Sequence, residues 1–174
     1  DIADVINEIC EKLISRHPHI YGDISVESEE DVKRNWEQLK LKEGKKSVLE
    51  GVPNSLPALV KASRIQDKVA GVGFDWEEPQ QVFEKLQEEL GELQHEVEEN
   101  NREKIEAEFG DVLFSMINYA RFLNVNPEDA LERTNKKFIK RFQYLEQKAK
   151  EQNKNLKDMT LREMDVFWEE AKLL

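Results

Sequence analysis

The chain has 174 residues, a formal net charge of −11, 36% charged residues, only 7 Gly and 5 Pro, and a single cysteine. That length suits one large domain or a domain with an extension. The acidity argues against nucleic-acid polymers and anionic membranes as partners, and the lone Cys10 excludes an intrachain disulfide framework and fits a reducing cytoplasm.

No apolar run approaches the roughly 20 residues of a membrane span, and no signal peptide is visible. Residues 1–16 read as an amphipathic helix with Ile2, Val5, Ile6, Ile9 and Leu13 on one face and Cys10 as a core residue beside them. His17-Pro18-His19 ends it, because the residue before a proline avoids the helical region. Ser28 with Asp31 approximates a capping box for a second helix over 28–43. Residues 44–55 are rich in turn formers and read as a linker. Pro57 starts a third helix that runs to about Ala70, and Gly71-Val72-Gly73-Phe74-Asp75-Trp76 follows as a loop. Pro79 opens a fourth helix to about Glu98, Asn100-Asn101 is a turn, and a fifth helix covers 102–123. Asn126-Pro127 starts a sixth helix to about Gln152. Thr160-Leu161-Arg162-Glu163 is a full capping box for a last helix to about Leu173. No segment alternates convincingly as a strand, so the expected class is all-α.

Two acidic clusters stand out. Glu88, Glu89 and Glu92 lie on the fourth helix, and Glu108 and Asp111 on the fifth, about a turn-and-return apart. The apolar stripes are expected at Phe83, Leu86, Leu90, Leu93 and Val97 and at Ile105, Phe109, Val112, Met116 and Ala120. Glu89, Glu92, Glu108 and Asp111 border those stripes, so acids from two antiparallel helices can meet across the pair. They are either solvated helix faces or ligands of a divalent cation. Oxygen donors without cysteine select a hard ion, Mg²⁺ or Mn²⁺, and Mg²⁺ usually shares its shell with substrate phosphates. Gly91 and Gly110 sit inside these helices, where glycine costs about 1 kcal/mol against alanine. A close helix contact or a close substrate approach would explain them.

An internal repeat is visible. Lys12-Leu13-Ile14-Ser15-Arg16 matches Lys137-Phe138-Ile139-Lys140-Arg141, and Trp36-Glu37-Gln38-Leu39-Lys40 matches Trp168-Glu169-Glu170-Ala171-Lys172. Each tryptophan follows a capping Ser28 or Thr160 by eight residues. Only the second copy is preceded by an acidic helix pair. The expectation is the back end of a tandem protein whose first acidic pair lies upstream of Asp1, with residues 1–50 the remnant of a first repeat and 51–174 the complete second one.

The remaining motifs stay open at this level. Lys137 and Arg141 share a helix face one turn apart and are either a surface pair or a clamp on phosphate oxygens. Trp168 and Lys172 are either a packing stripe with a solvated lysine or a base stack with a phosphate contact. Glu92-x-x-His95 has the spacing of di-iron bundle proteins, but the other helix offers Glu-x-x-Asp, and His95 reads as a surface residue. His17 and His19 shape a turn. No glycine-rich phosphate loop, Ser/His/Asp trio or Cys/His arrangement is present.

Taken together, these residues resemble the MazG family of the all-α NTP pyrophosphatase superfamily. Glu88-Glu89-x-x-Glu92 with Glu108-x-x-Asp111 is similar to its metal motif. Ser55-Leu56-Pro57-Ala58-Leu59, Ile65-Gln66-x-Lys68 and Val72-Gly73-Phe74-Asp75-Trp76 are similar to the entry of its C-terminal domain, and Arg16-His17-Pro18-His19 to part of its N-terminal one. The resemblance covers essentially the whole chain and implies a four-helix-bundle-like fold, with residues 51–174 as the catalytic domain. It implies Glu89, Glu92, Glu108 and Asp111 as metal ligands, Glu88 as the group that orients water, and Lys137, Arg141, Trp168 and Lys172 as substrate contacts. It further implies a homodimer whose sites take residues from both chains, and Mg²⁺-dependent cleavage of nucleoside triphosphates to monophosphate and pyrophosphate, with broad house-cleaning specificity. A non-catalytic helical interaction module and a ferritin-like di-metal protein are the rival classes.

Overall fold

Prolines and asparagines set where the long helices begin and end. In the computed structural model of the chain, residues 1–22, 32 and 47–173 are described. α1 spans Ile2–Arg16, α2 Pro18–Tyr21, α3 Ala58–Ala70, α4 Pro79–Glu98, α5 Arg102–Phe122, α6 Pro127–Glu151 and α7 Leu161–Ala171, with a 3₁₀ turn at Leu156–Asp158 before α7. Among the described residues there is no strand, and no helix is long and apolar enough to cross a membrane. Apart from Val32, the helix expected over 28–43, with Ser28, Trp36 and Lys40 of the first repeat, lies outside the described residues.

Pro79 and Pro127 occupy the first turns of α4 and α6, where a missing N–H breaks no helical bond. Asn126 caps α6 by accepting from the N–H groups of Glu128 and Asp129 at 3.0 and 3.3 Å. The Thr160–Glu163 capping box forms as expected: the Thr160 N–H donates to Glu163 Oε2 at 2.9 Å and the Glu163 N–H donates to Thr160 Oγ1 at 3.3 Å. Asn100, Asn124 and Asn153 all adopt positive φ, at 53°, 54° and 56°, just past the ends of α4, α5 and α6. Asparagine tolerates that left-handed conformation better than most non-glycine residues, so each marks a helix stop. The three-residue connection at 99–101 forces α4 and α5 to run antiparallel side by side.

The chain forms two compact units, residues 1–124 and 125–174. In the first, α5 is packed against both α4 and α3. In the second, α6 packs on α7 around Leu145, Ala149, Met159 and Phe167.

The buried faces differ from the expected ones in an instructive way. On α4 the inward residues are Val82, Leu86, Glu89 and Glu96, whereas Phe83, Leu90 and Val97 are 36%, 46% and 54% exposed. The face turned inward is shifted by one residue, about 100° of rotation. On α5, Val112 and Ile117 are buried while Phe109 and Met116 are exposed. α4 therefore turns two acids inward, and both helices leave apolar side chains outside. Cys10 is exposed rather than in a core, because the face of α1 that carries Ile2, Val5, Ile6, Ile9 and Leu13 is itself at least half exposed.

Candidate metal centre

The rotation of α4 and α5 brings carboxylates together. Glu89, Glu108 and Asp111 each place one oxygen within 4.8 Å of the others. Glu89 is buried, Glu108 half-buried and Asp111 exposed, so the cluster sits at the lip of the helix pair. Partial burial comes first, and then the charges of Glu92, Asp111, Glu89 and Glu96, in raising the Glu108 pKa above its ordinary value. Glu92 lies outside the tight trio but exerts the largest charge repulsion on Glu108, and both line an open cleft of about 470 Å³ with Glu88, Gly91, His95 and Glu96.

Lys85 balances part of this charge. Its Nζ donates to Glu89 Oε1 at 2.9 Å and to Glu88 Oε1 at 3.0 Å, and those two bonds, Glu89 first, hold its pKa above the usual lysine range. Lys104 does the same for the buried Glu96 across the turn, donating to Glu96 Oε1 at 3.0 Å. A second cleft, of about 200 Å³, opens beside the cluster and is lined by Trp76, Lys85, Glu89, Asp111, Ser115 and Asn118 among others. Glu89 and Asp111 thus border one cleft and Glu108 the other.

Among the described residues, a Cβ added at Gly91 or Gly110 would meet nothing within 4 Å, so no close helix contact within them accounts for either glycine. His95 is exposed, as expected, on the acidic cleft. Its Nδ1 and Nε2 are not part of the carboxylate trio.

In the second unit, Arg141 and Trp168 come together, the guanidinium 5.9 Å from the ring centroid. Phe138 packs on the same indole at 4.9 Å. Lys172 lies one turn beyond Trp168 and donates to Glu169 Oε1. Lys137 is exposed on α6, one turn before Arg141. Among the candidate substrate residues, then, Arg141 and Trp168 meet directly, with Lys137 and Lys172 flanking them along their own helices.

Sequence reasoning missed Lys85, Glu96 and the Trp76 cleft. Lys85 was signalled by its spacing of three and four from Glu88 and Glu89. Glu96 lies seven residues after Glu89, hence on the same face. The cleft had no local signal, because it joins a loop to two helices. The donor set fits a hard cation: three carboxylates converge, and no thiol or imidazole joins them.

The comparisons with known proteins agree with one another. The family profile described as the MazG nucleotide pyrophosphohydrolase domain matches residues 77–145, which contain every acid of the cluster. The nucleoside triphosphate pyrophosphohydrolase/pyrophosphatase MazG of Thermotoga maritima is 44% identical over 174 residues, 98% of this chain and 66% of that protein. The nucleoside triphosphate pyrophosphohydrolase of Escherichia coli K12 is 36% identical over 178 residues, 99% of this chain and 68% of that protein. The uncharacterized protein YabN of Bacillus subtilis is 49% identical over 175 residues, 98% of this chain and 36% of that protein. The chain spans about two thirds of the length of the first two and about a third of the last.

Proposed function

The chain belongs to the MazG nucleotide pyrophosphohydrolase family, and on that premise we propose that it hydrolyses nucleoside triphosphates to nucleoside monophosphate and pyrophosphate in a Mg²⁺-dependent reaction, with Mn²⁺ as a substitute. The observation that carries this reading is the convergence of Glu89, Glu108 and Asp111 within 4.8 Å on an antiparallel helix pair. Glu89, Glu92, Glu108 and Asp111 would hold the metal. When bound, the cation supplies charge neutralisation for phosphate oxygens and lowers the pKa of water.

The chain's own residues do the rest. Glu88, next to Glu89 and exposed to the open cleft, accepts a hydrogen bond from the attacking water and aims it at the α-phosphorus. Lys137, Arg141 and Lys172 neutralise the triphosphate, Arg141 through paired N–H donors, and Trp168 offers an aromatic face. Residues 51–174 carry the catalysis, and residues 1–50 contribute packing.

We place this activity in a cytoplasmic homodimer in which each site draws residues from both chains. Leu90 and Val97 on α4 and Phe109, Leu113 and Met116 on α5 are each 46–55% exposed. An apolar strip of that kind on a helix pair suits burial against a second copy.

The test is hydrolysis in ¹⁸O-water over a panel of nucleotides. Label in the monophosphate, with pyrophosphate released only when Mg²⁺ or Mn²⁺ is added, is the expected result. Label in orthophosphate would make this a phosphatase. A chain that binds neither Mg²⁺ nor a non-hydrolysable nucleotide by calorimetry would be an interaction module.

A further inference from the structure

The loop after α3 is tied to α5 by one arginine. Gly73 takes φ +88°, a conformation that other residues rarely adopt, and turns the chain so that the Phe74 N–H donates to the Val69 carbonyl at 3.0 Å. Asp75 then reaches Arg121 near the end of α5. Arg121 Nη1 donates to Asp75 Oδ2 at 2.8 Å, and Nη2 donates to Asp75 Oδ1. Asp75 Oδ1 also accepts from the Trp76 N–H at 2.9 Å. The next residue along, Trp76, is a wall of the 200 Å³ cleft.

The same guanidinium has a second grip. Arg121 Nε and Nη2 donate to Asn118 Oδ1 at 3.1 and 2.9 Å. Its plane is steadied against the Phe122 ring, 4.7 Å from the centroid. An arginine has five donors and no acceptor, so Asn118 must present its oxygen to Arg121. Its NH₂ group is thereby turned the other way. Asn118 lines the cleft with Trp76, Ser115, Asp111 and Glu89, and among the described residues nothing accepts from that NH₂.

We propose that Arg121 is a positioning residue: it holds Asn118 so that its NH₂ points into the Trp76 cleft as a donor to an acceptor atom on the nucleobase of the substrate. The inference rests on the nucleoside triphosphate reading above and names the part of the substrate that this cleft takes. Three features suit a base here. The cleft touches the metal acids Glu89 and Asp111, as a nucleoside attached to the reacting phosphate requires. One wall is an indole, on which any base can stack. The volume is below the roughly 300–1,000 Å³ of pockets for drug-sized ligands and suits a single planar ring system. Every base carries ring-nitrogen or carbonyl acceptors, so one donor beside a stacking wall gives affinity without narrow selection.

The experiment compares Arg121→Lys, Asn118→Leu and the double variant with the unchanged chain. Each is assayed for kcat and KM on nucleoside triphosphates with Mg²⁺ and for inhibition by inorganic tripolyphosphate, which has no base. Lys keeps a cation for Asp75 but lacks the second arm that grips Asn118. The expected result is a KM raised about tenfold in both single variants, the effect of one lost hydrogen bond. The kcat stays within about threefold, as for loss of uniform binding, and the tripolyphosphate inhibition constant is unchanged. The double variant should be no worse than Asn118→Leu alone, because Arg121 acts through Asn118.

Full recovery of KM in Arg121→Lys would reduce Arg121 to a loop tie and overturn the proposal. So would an equal rise in KM and in the tripolyphosphate constant, or strictly additive single effects. Asn118→Leu leaves the Asp75–Arg121 pair in place, so it carries the test even where Arg121→Lys melts early. No pyrophosphate from any nucleotide with the unchanged chain would overturn the functional reading and this inference with it. Normal turnover with unaltered KM in Asn118→Leu would overturn the inference alone.

Discussion

The two compact units solve opposite problems. In the second, α6 and α7 close over an ordinary apolar cluster of Leu145, Ala149, Met159 and Phe167, each under 9% exposed, and keep Lys137 and Lys172 outside. In the first, α4 turns Glu89 and Glu96 inward, and α4 and α5 together leave Leu90, Val97, Phe109 and Met116 to solvent. Buried carboxylates oppose folding unless paired or coordinated. The first unit therefore gives up apolar burial to assemble a cluster that Lys85 and Lys104 only partly neutralise. The second unit is held by a buried apolar cluster, and the first assembles carboxylates that could hold a metal ion.

The sharpest break between the units is expected in activity. Glu89→Gln or Asp111→Asn should lower pyrophosphate release by more than about a hundredfold, beyond the 10–100-fold typical of losing a group that merely supports a metal ligand, with the helical circular-dichroism spectrum unchanged. Near-normal release by both variants would remove the metal assignment.

The converse change belongs to the second unit. Phe167→Ala deletes a buried ring and should destabilise by about 3–5 kcal/mol, read by urea denaturation. The Mg²⁺ affinity of the first unit, measured by calorimetry on the folded fraction, should be retained. An equal loss of both would mean that the units do not separate stability from ligand capacity.

A smaller effect concerns repulsion. The folded pKa of Glu108 lies above its ordinary value, so the folded, metal-free chain holds that proton more tightly than the unfolded one. Near neutral pH the ionised group therefore opposes folding, and the penalty is relieved as pH falls through the raised pKa. Glu108→Gln should raise the metal-free melting temperature near pH 7 and diminish the further rise on adding Mg²⁺. A lower melting temperature in the variant would show that Glu108 is stabilised by its surroundings.

The smallest expected effect lies at the start of α7. Glu163 has its pKa lowered to about 2 by the Thr160 N–H first, then by Lys154 and the Thr160 hydroxyl. Its folded pKa is below the unfolded value, so its contribution is whole above about pH 4.5 and is lost as pH falls towards 2. Melting temperatures of Glu163→Gln and the unchanged chain should differ near neutrality and converge by pH 2. A constant difference across that range would remove the capping account.

Helix positions were legible because their signals are local. Pro79 and Pro127 lock φ where a helix starts, Thr160 and Glu163 close each other's free N–H groups, and Asn100 accepts the left-handed turn that stops α4. The acids were legible as a set for the same reason, since spacings of three and four place side chains on one face of any helix. Which face turns inward was not. Phe83, Leu90 and Val97 form as regular a stripe as Val82, Glu89 and Glu96, and hydrophobicity alone selects the first; the packing of α5 against both α4 and α3 selects the second. Likewise no local pattern couples Asp75 to Arg121, 46 residues apart, or sets the amide of Asn118. The sequence by itself determined where helices run and which residue types each can present. The tertiary structure decided the rotation of each helix and the joining of a loop to two helix faces, because those depend on contacts between segments that carry no trace of one another in their own spacing.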